Sequence, residues 1–216
     1  MRRLALLVAL LGLTACAAPA HPTVVTLGDS VPAGTACGCT PFPALYARSQ
    51  HATDVNLAVP GATSADVRAA VPAAASSASE VVLMIGANDM AAVFDDPSRY
   101  AATAAAVEAN VTATIEAIGH GRRTRVVVLG YWNVVQDGDV GAAAYGPDGV
   151  RKATRATDLT NAALQRAAAA TDATYVSTEP PFHGPAGATA LLAPDGDHPD
   201  EAGQAAIAKL IPPLPA

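Results

Sequence analysis

The chain has 216 residues, of which 51% are hydrophobic and 15% are charged, and its formal net charge is −6. This length suits one domain with a sizeable core, and the hydrophobic content excludes a disordered chain. The acidic balance and the lack of a basic run exclude a nucleic-acid partner bound through phosphates. We therefore expect a single domain at 23–216, acting as a monomer.

The N-terminus has the organisation of a bacterial export signal. Arg2 and Arg3 precede an apolar stretch at 4–13, which is shorter than the roughly 20 residues of a membrane span. The motif Leu13-Thr14-Ala15-Cys16 is similar to a lipobox, in which the cysteine carries the lipid of the mature protein. Ordinary secretion, with cleavage after Ala20, is the alternative.

The lipobox divides the N-terminal segment into two parts. It predicts a lipoprotein signal peptide at 1–15 and a short tether at 16–22, with lipidation of Cys16. The domain is expected outside the cytoplasm in either case, anchored to the cell membrane through the lipid or secreted.

After this leader, apolar runs alternate with helical patterns, which indicates a parallel sheet built from βαβ units. The predicted strands are Thr23–Leu27, Thr53–Leu57, Val81–Ile85, Arg125–Leu129 and Thr174–Ser177. The predicted helices are Pro41–Ser49, Ser64–Val71, Ser98–Ile118, Val150–Ala170 and Asp200–Leu210. Residues 73–79 and 133–149 are predicted as irregular connections. The fold class expected is α/β, a three-layer α/β/α domain of flavodoxin-like kind with a five-stranded parallel sheet.

Cys37 and Cys39 remain when Cys16 is assigned to the lipid. In an oxidising compartment a leftover pair suggests a disulfide, and Gly38 between them eases the tight loop. Two free thiols are the alternative, and two cysteines without a nearby histidine do not make a metal site.

Polar segments follow three predicted strands. Gly28-Asp29-Ser30 follows the first strand, Gly61 the second, and Gly86-Ala87-Asn88-Asp89 the third. In an open parallel sheet, sites form beyond the carboxyl ends of the strands. Asp29 and Asp89 are expected to bind local backbone N–H groups.

A fourth polar segment, Asp195-Gly196-Asp197-His198-Pro199, lies near the C-terminus. Serine needs a base to act as a nucleophile, and that base needs an orienting group. Asp195 and His198 stand at i and i+3, so both side chains can leave one turn in the same direction. Asp197 and Asp200 are the alternatives to Asp195.

Together these four segments resemble the blocks of the GDSL esterase/lipase family, also called SGNH hydrolases. The resemblance implies that Ser30 is the nucleophile, His198 the general base and acid, and Asp195 the residue that orients the imidazole. It also implies an oxyanion hole made by the N–H groups of Ser30 and Gly61 and by the side-chain amide of Asn88. The chain has Val31 where the family name has leucine.

The expected function is that of an exported serine esterase that needs no metal or organic cofactor and hydrolyses carboxylic esters or thioesters. The lack of a lid insertion favours small or short acyl groups and an open site. Tyr131, Trp132 and His183 follow the fourth and fifth strands and are candidate walls of the substrate pocket. One alternative is a carbohydrate O-deacetylase or O-acetyltransferase acting on cell-envelope glycans. Another is a catalytically silent envelope-binding protein.

Overall fold

A five-stranded parallel sheet forms the centre of the computed structural model, which describes residues 21–119, 124–183 and 189–215. The strands are β1 (Thr23–Gly28), β2 (Thr53–Asn56), β3 (Glu80–Met84), β4 (Arg125–Leu129) and β5 (Thr174–Val176). Their order across the sheet is β2-β1-β3-β4-β5, the flavodoxin-like order. The five predicted strands are confirmed, with ends that differ by at most one residue.

Helices cover both faces of this sheet. They are α1 (Ser30–Ala33), α2 (Phe42–Ser49), α3 (Ser64–Ala69), α4 (Ala73–Ser77), α5 (Ala87–Ala91), α6 (Tyr100–Gly119), α7 (Val134–Asp137), α8 (Asp139–Ala170), α9 (Glu179–Phe182) and α10 (Glu201–Leu210). One layer is formed by α2 and α10, and the other by α3, α6 and α8, which pack against one another. This arrangement confirms the predicted three-layer fold class. Within the described ranges, no helix is both long and apolar enough to cross a membrane.

Two segments predicted to be irregular are helical. Residues 73–77 form α4, and the segment 133–149 contains α7 and the start of α8. A break at Gly146, with φ 62° and ψ −175°, separates the first two turns of α8 from the rest. The glycine and aspartate content of this segment is typical of a loop. However, the side chain of Asn133 caps α7 by accepting hydrogen bonds from two N–H groups of its first turn.

The middle strands are buried on both faces of the sheet. Every residue of β3, and most residues of β1 and β4, are shielded from solvent by the two helical layers. Because all five strands are parallel, the segments that follow them leave the sheet at one edge, the carboxyl edge. The polar segments that follow β1, β2 and β3 therefore meet there.

In the loop between α1 and α2, Cys37 and Cys39 are joined by a disulfide, with their Cα atoms 5.1 Å apart. Gly38 between them has a φ of 60°, a conformation that favours glycine. The predicted signal peptide and Cys16 lie outside the described residues, which begin at His21 within the predicted tether.

Candidate active site

Ser30 lies at the carboxyl end of β1, where the strand turns into α1. A Cβ atom on Gly28 would collide with the carbonyl oxygen of Met84, so glycine allows β1 to approach β3 closely at this turn. Asp29 caps α1, because its Oδ1 accepts a hydrogen bond of 3.1 Å from the N–H of Val31. The N–H of Ser30 belongs to the first turn of α1, where N–H groups have no acceptor within the helix. Ser30 therefore offers both a hydroxyl and an N–H donor.

His198 lies in a short turn that precedes α10. The turn is closed by an antiparallel bridge between Leu192 and Pro199 and by a hydrogen bond of 2.7 Å from the N–H of Ala193 to the carbonyl of His198. Its outer face rests on α8, since a Cβ atom on Gly196 would overlap the side chain of Val140. The start of α8 thereby helps to hold in place this turn, which we call the histidine turn.

The imidazole of His198 is paired with Asp195. Nδ1 of His198 lies 2.7 Å from Oδ2 of Asp195, and Oδ1 of Asp195 accepts the N–H groups of Asp197 and His198 at 3.1 Å each. Burial raises the pKa of Asp195, but these hydrogen bonds outweigh it and hold that pKa below its ordinary value. The Asp195 carboxylate therefore stays ionised and fixes the orientation of the ring.

The two alternative partners of His198 are placed differently. Oδ2 of Asp197 lies 3.9 Å from Nδ1 of the ring, beyond hydrogen-bonding distance. Asp200 instead caps α10 by accepting a hydrogen bond of 2.8 Å from the N–H of Gly203. Asp195 is thus the carboxylate that the fold brings onto the ring.

Gly61 and Asn88 lie in two neighbouring segments that are tied together. The side-chain amide of Asn88 donates a hydrogen bond of 2.9 Å to the carbonyl of Ala62, and it has a second hydrogen that this bond does not use. Asp89 accepts bonds of 2.8 and 2.7 Å from the N–H and hydroxyl of Ser64. The turn that carries Gly61 is therefore held against the start of α5.

The conformation of Gly61 explains why glycine is found there. Its φ is 81°, and a Cβ atom at this position would meet no atom within 4 Å. The backbone conformation, and not contact with another residue, therefore favours glycine at this position. Gly61 is exposed and is not among the described residues that line the cavity beside Ser30.

Ser30, Asn88, Asp195 and His198 line one cavity of about 620 Å³. The elements α5 and α8 and the segment after α5 line the same cavity with apolar and polar side chains. The apolar ones include Met90, Phe94, Ala144, Tyr145, Ala153 and Ala156, and the polar ones include Asp95, Thr157 and Thr160. The rings of Phe94 and Tyr145 meet edge to face, with centroids 5.3 Å apart. Among the described lining residues there is no lysine or arginine.

Of the three candidate wall residues, Tyr131 and Trp132 line this cavity, and Trp132 stacks on Phe182 with ring centroids 4.1 Å apart. His183 is not among the described residues that line this cavity. Its Nδ1 lies 2.7 Å from Oδ1 of Asp137, a buried carboxylate at the end of α7, and this contact raises the pKa of His183.

One pair at the site has no signal in the sequence. The hydroxyl of Tyr131 donates a hydrogen bond of 2.5 Å to Oδ2 of Asp29. Asp29 follows β1 and Tyr131 follows β4, and β3 lies between those two strands. Only the strand order brings the two residues together. Asp29 binds the local N–H group of Val31, as predicted, and in addition this distant phenol.

Residues 26–206 match the model of the GDSL-like lipase/acylhydrolase family. No curated protein sequence matches the chain.

Solved structures similar to this chain share its fold. An extracellular lipase from Streptomyces rimosus is 24% identical, with a TM-score of 0.67, over 88% of this chain and 100% of that one. A phospholipase A1 from Streptomyces albidoflavus is 22% identical, with a TM-score of 0.67, over 89% and 100% of the two chains. A variant of an acetyl-xylooligosaccharide esterase from Geobacillus is 19% identical, with a TM-score of 0.64, over 88% and 91%.

Proposed function

The chain belongs to the GDSL-like lipase/acylhydrolase family and is an ester-hydrolysing enzyme, and we propose that it is a serine esterase whose nucleophile is Ser30. The observation that carries the proposal is the position of Ser30 and His198 in one cavity, with the ring of His198 fixed by Asp195 at 2.7 Å. A hydroxyl, an imidazole and an orienting carboxylate are the groups that a serine hydrolase requires.

The reaction proceeds in two steps. In the first, His198 takes the proton of the Ser30 hydroxyl while the oxygen attacks the ester carbonyl, and the same proton is then given to the leaving alcohol. An acyl-enzyme remains on Ser30. In the second step, His198 takes a proton from water, which attacks the acyl carbon, and the carboxylic acid leaves as Ser30 regains its proton. Asp195 holds the imidazole tautomer through both steps.

Negative charge develops on the carbonyl oxygen during both attacks. The donors proposed for it are the N–H of Ser30, the N–H of Gly61 and the second amide hydrogen of Asn88. The bond from Asn88 to Ala62 and the bonds from Ser64 to Asp89 tie the segments of Gly61 and Asn88 together before substrate arrives. Each such donor is worth about 3–4 kcal/mol of barrier, because it meets charge that appears only in the transition state.

The acyl group is proposed to be uncharged and longer than acetyl. A cavity of about 620 Å³ that is lined in part by apolar side chains of α5 and α8 provides far more room than an acetyl group fills. The expectation of a short acyl group depended on the lack of a lid insertion. In the structure, however, residues 139–145 are helical and contribute Val140, Ala144 and Tyr145 to the cavity wall. A linear acyl chain that runs from Ser30 towards Phe94 fits this arrangement.

Ester hydrolysis and probe labelling by the wild type and by Ser30→Ala test the proposal. The wild type should hydrolyse p-nitrophenyl esters and react with a fluorophosphonate probe, whereas Ser30→Ala should do neither. Equal behaviour of the two proteins would indicate a silent binding protein and contradict the proposal. Acetylated sugars are the second set of substrates: faster turnover of these than of longer acyl esters would identify a carbohydrate deacetylase.

Export with a lipid anchor on Cys16 is proposed from the N-terminal sequence alone. Mass spectrometry of the mature N-terminus should find a diacylglyceryl group on Cys16. A free terminus at His21 would contradict the anchor and leave ordinary secretion. The proposal of a monomer is tested by light scattering of the mature domain without its lipid.

A further inference from the structure

A buried hydrogen-bonded pair lies next to the candidate nucleophile. The side chain of Asp29, the residue before Ser30, is only 1% exposed. One of its oxygens accepts the N–H of Val31, the residue after Ser30, at 3.1 Å. The other accepts the hydroxyl of Tyr131 at 2.5 Å. Asp29 therefore links the turn that carries Ser30 to the hydroxyl of Tyr131.

The ring of Tyr131 is held in place without the help of its hydroxyl. Asn161 on α8 accepts a hydrogen bond from the N–H of Tyr131 and donates one to its carbonyl, each at 2.8 Å. These two bonds fix the backbone from which the ring extends. The hydroxyl donates to Asp29 and also lies at the backbone N–H of Ala87, so its removal would change these two contacts and leave the backbone bonds to Asn161 in place.

We propose that Tyr131 is a positioning residue that acts through Asp29: the pair holds the Ser30 turn, and the ionised Asp29 stabilises the imidazolium that His198 becomes during attack. The inference depends on the proposed function, because it assigns a role in the same reaction. A charge held in place before the reaction begins stabilises the transition state without reorganisation.

The charge on Asp29 depends on its neighbours. Burial raises the pKa of Asp29 to about 6, while the Tyr131 hydroxyl, the Val31 N–H and the positive charge of His198 all favour the ionised form. Asp197 faces Asp29 and opposes ionisation, and Asp89 faces Tyr131. Loss of the Tyr131 donor would therefore raise the pKa of Asp29 further.

Tyr131→Phe should change the pH profile in a defined direction. The active form has ionised Asp29 and neutral His198, so it is the form in which the pair has lost both protons. Any change that disfavours ionised Asp29 makes this form appear only at higher pH. We expect the acid limb of the pH profile, the low-pH side on which kcat/KM rises, to move to higher pH. At pH 7, kcat should fall about tenfold and KM for a short ester should stay unchanged.

Asp29→Asn should lower kcat because it removes the negative charge. The amide keeps an acceptor for the N–H of Val31, while its NH2 group can only donate to the oxygen of Tyr131. Without the anion the imidazolium formed during attack is less stabilised, so kcat on the plateau of the pH profile should fall. In the Asp29→Asn background, the additional Tyr131→Phe change should cost no more than about twofold in kcat, because the two residues act through one contact.

Tyr46→Phe is the matched control. It removes another buried tyrosine hydroxyl, which donates a bond of 2.8 Å to the carbonyl of Pro212, far from the carboxyl edge. It should lower the unfolding temperature and leave the pH profile unchanged.

Two results would overturn the inference while Ser30→Ala remains inactive: an unshifted acid limb in folded Tyr131→Phe, or additive losses in the double variant. If Tyr131→Phe does not fold, kcat of Asp29→Asn on the plateau of its pH profile decides alone: an unchanged value would overturn the inference. Activity in Ser30→Ala would instead contradict the proposed function itself.

Discussion

Leucine in place of Ala156 should shorten the acyl chain that the enzyme accepts. Ala156 lies on α8, lines the cavity, and is only 5% exposed. Its small side chain lines the same cavity as Ser30 and the aromatic pair of Phe94 and Tyr145. A leucine there adds three carbon atoms on the cavity side of the helix, and these would occupy the space proposed for the distal acyl carbons.

The size of the effect follows from the burial of methylene groups. Each buried methylene contributes about 0.8 kcal/mol, which corresponds to a factor of about 4 in kcat/KM when it is realised in the transition state. Displacing about three methylenes therefore costs about 2.4 kcal/mol, or about 60-fold on a p-nitrophenyl octanoate substrate. The acetate ester does not reach this part of the cavity, so its kcat/KM should change less than about twofold.

The assay is kcat/KM for p-nitrophenyl esters from acetate to octanoate, measured in the wild type, Ala156→Leu and Ala169→Leu. Ala169 lies on the exposed face of the same helix and outside the cavity, which makes it the matched control. The unfolding temperature of each variant shows whether it is folded. Equal losses on acetate and octanoate in a folded Ala156→Leu protein would refute an acyl site between α5 and α8.

Three further predictions concern carboxylates and the oxyanion donor. Asp195→Ala should lower kcat on the order of 10³- to 10⁴-fold, whereas Asp197→Ala, which removes a carboxylate 3.9 Å from the ring, should retain most activity; the reverse order in steady-state kinetics would reassign the histidine partner. Asn88→Ala should lower kcat by about 10²- to 10³-fold with little change in KM, and a change confined to KM would exclude its oxyanion role. Because burial raises the pKa of Asp29 from 3.8 to about 6, protonated Asp29 is favoured in the folded state, and the resulting stabilisation is lost as the pH rises through 6. Asp29→Asn should therefore gain about 2 kcal/mol of unfolding free energy relative to the wild type between pH 4 and pH 7, measured in urea, and a pH-independent difference would contradict the raised pKa.

The sheet was predictable from sequence because its strands are short apolar runs between turn residues. Burial on both faces explains the continuous apolar patterns of β3 and β4. The i, i+3 spacing of Asp195 and His198 indicated their contact because the two side chains leave a single turn. These features depend on neighbours along the chain, which a sequence pattern can show.

Other features depend on contacts between distant segments. The helical wall at 139–145 has the composition of a loop, and its helix is stabilised where Val140 packs on Gly196 of the histidine turn. The Tyr131–Asp29 bond joins residues 102 positions apart. Similarly, His183 was placed correctly after β5, but only the fold shows that its ring meets Asp137 and lies away from the cavity lining.

The most direct test of the central claim is mass-spectrometric mapping of the fluorophosphonate adduct on the wild-type protein. We expect one adduct, on the hydroxyl of Ser30, formed much more slowly in His198→Ala. An adduct on a different residue, or labelling at an equal rate in His198→Ala, would contradict a nucleophile at Ser30 that is activated by His198.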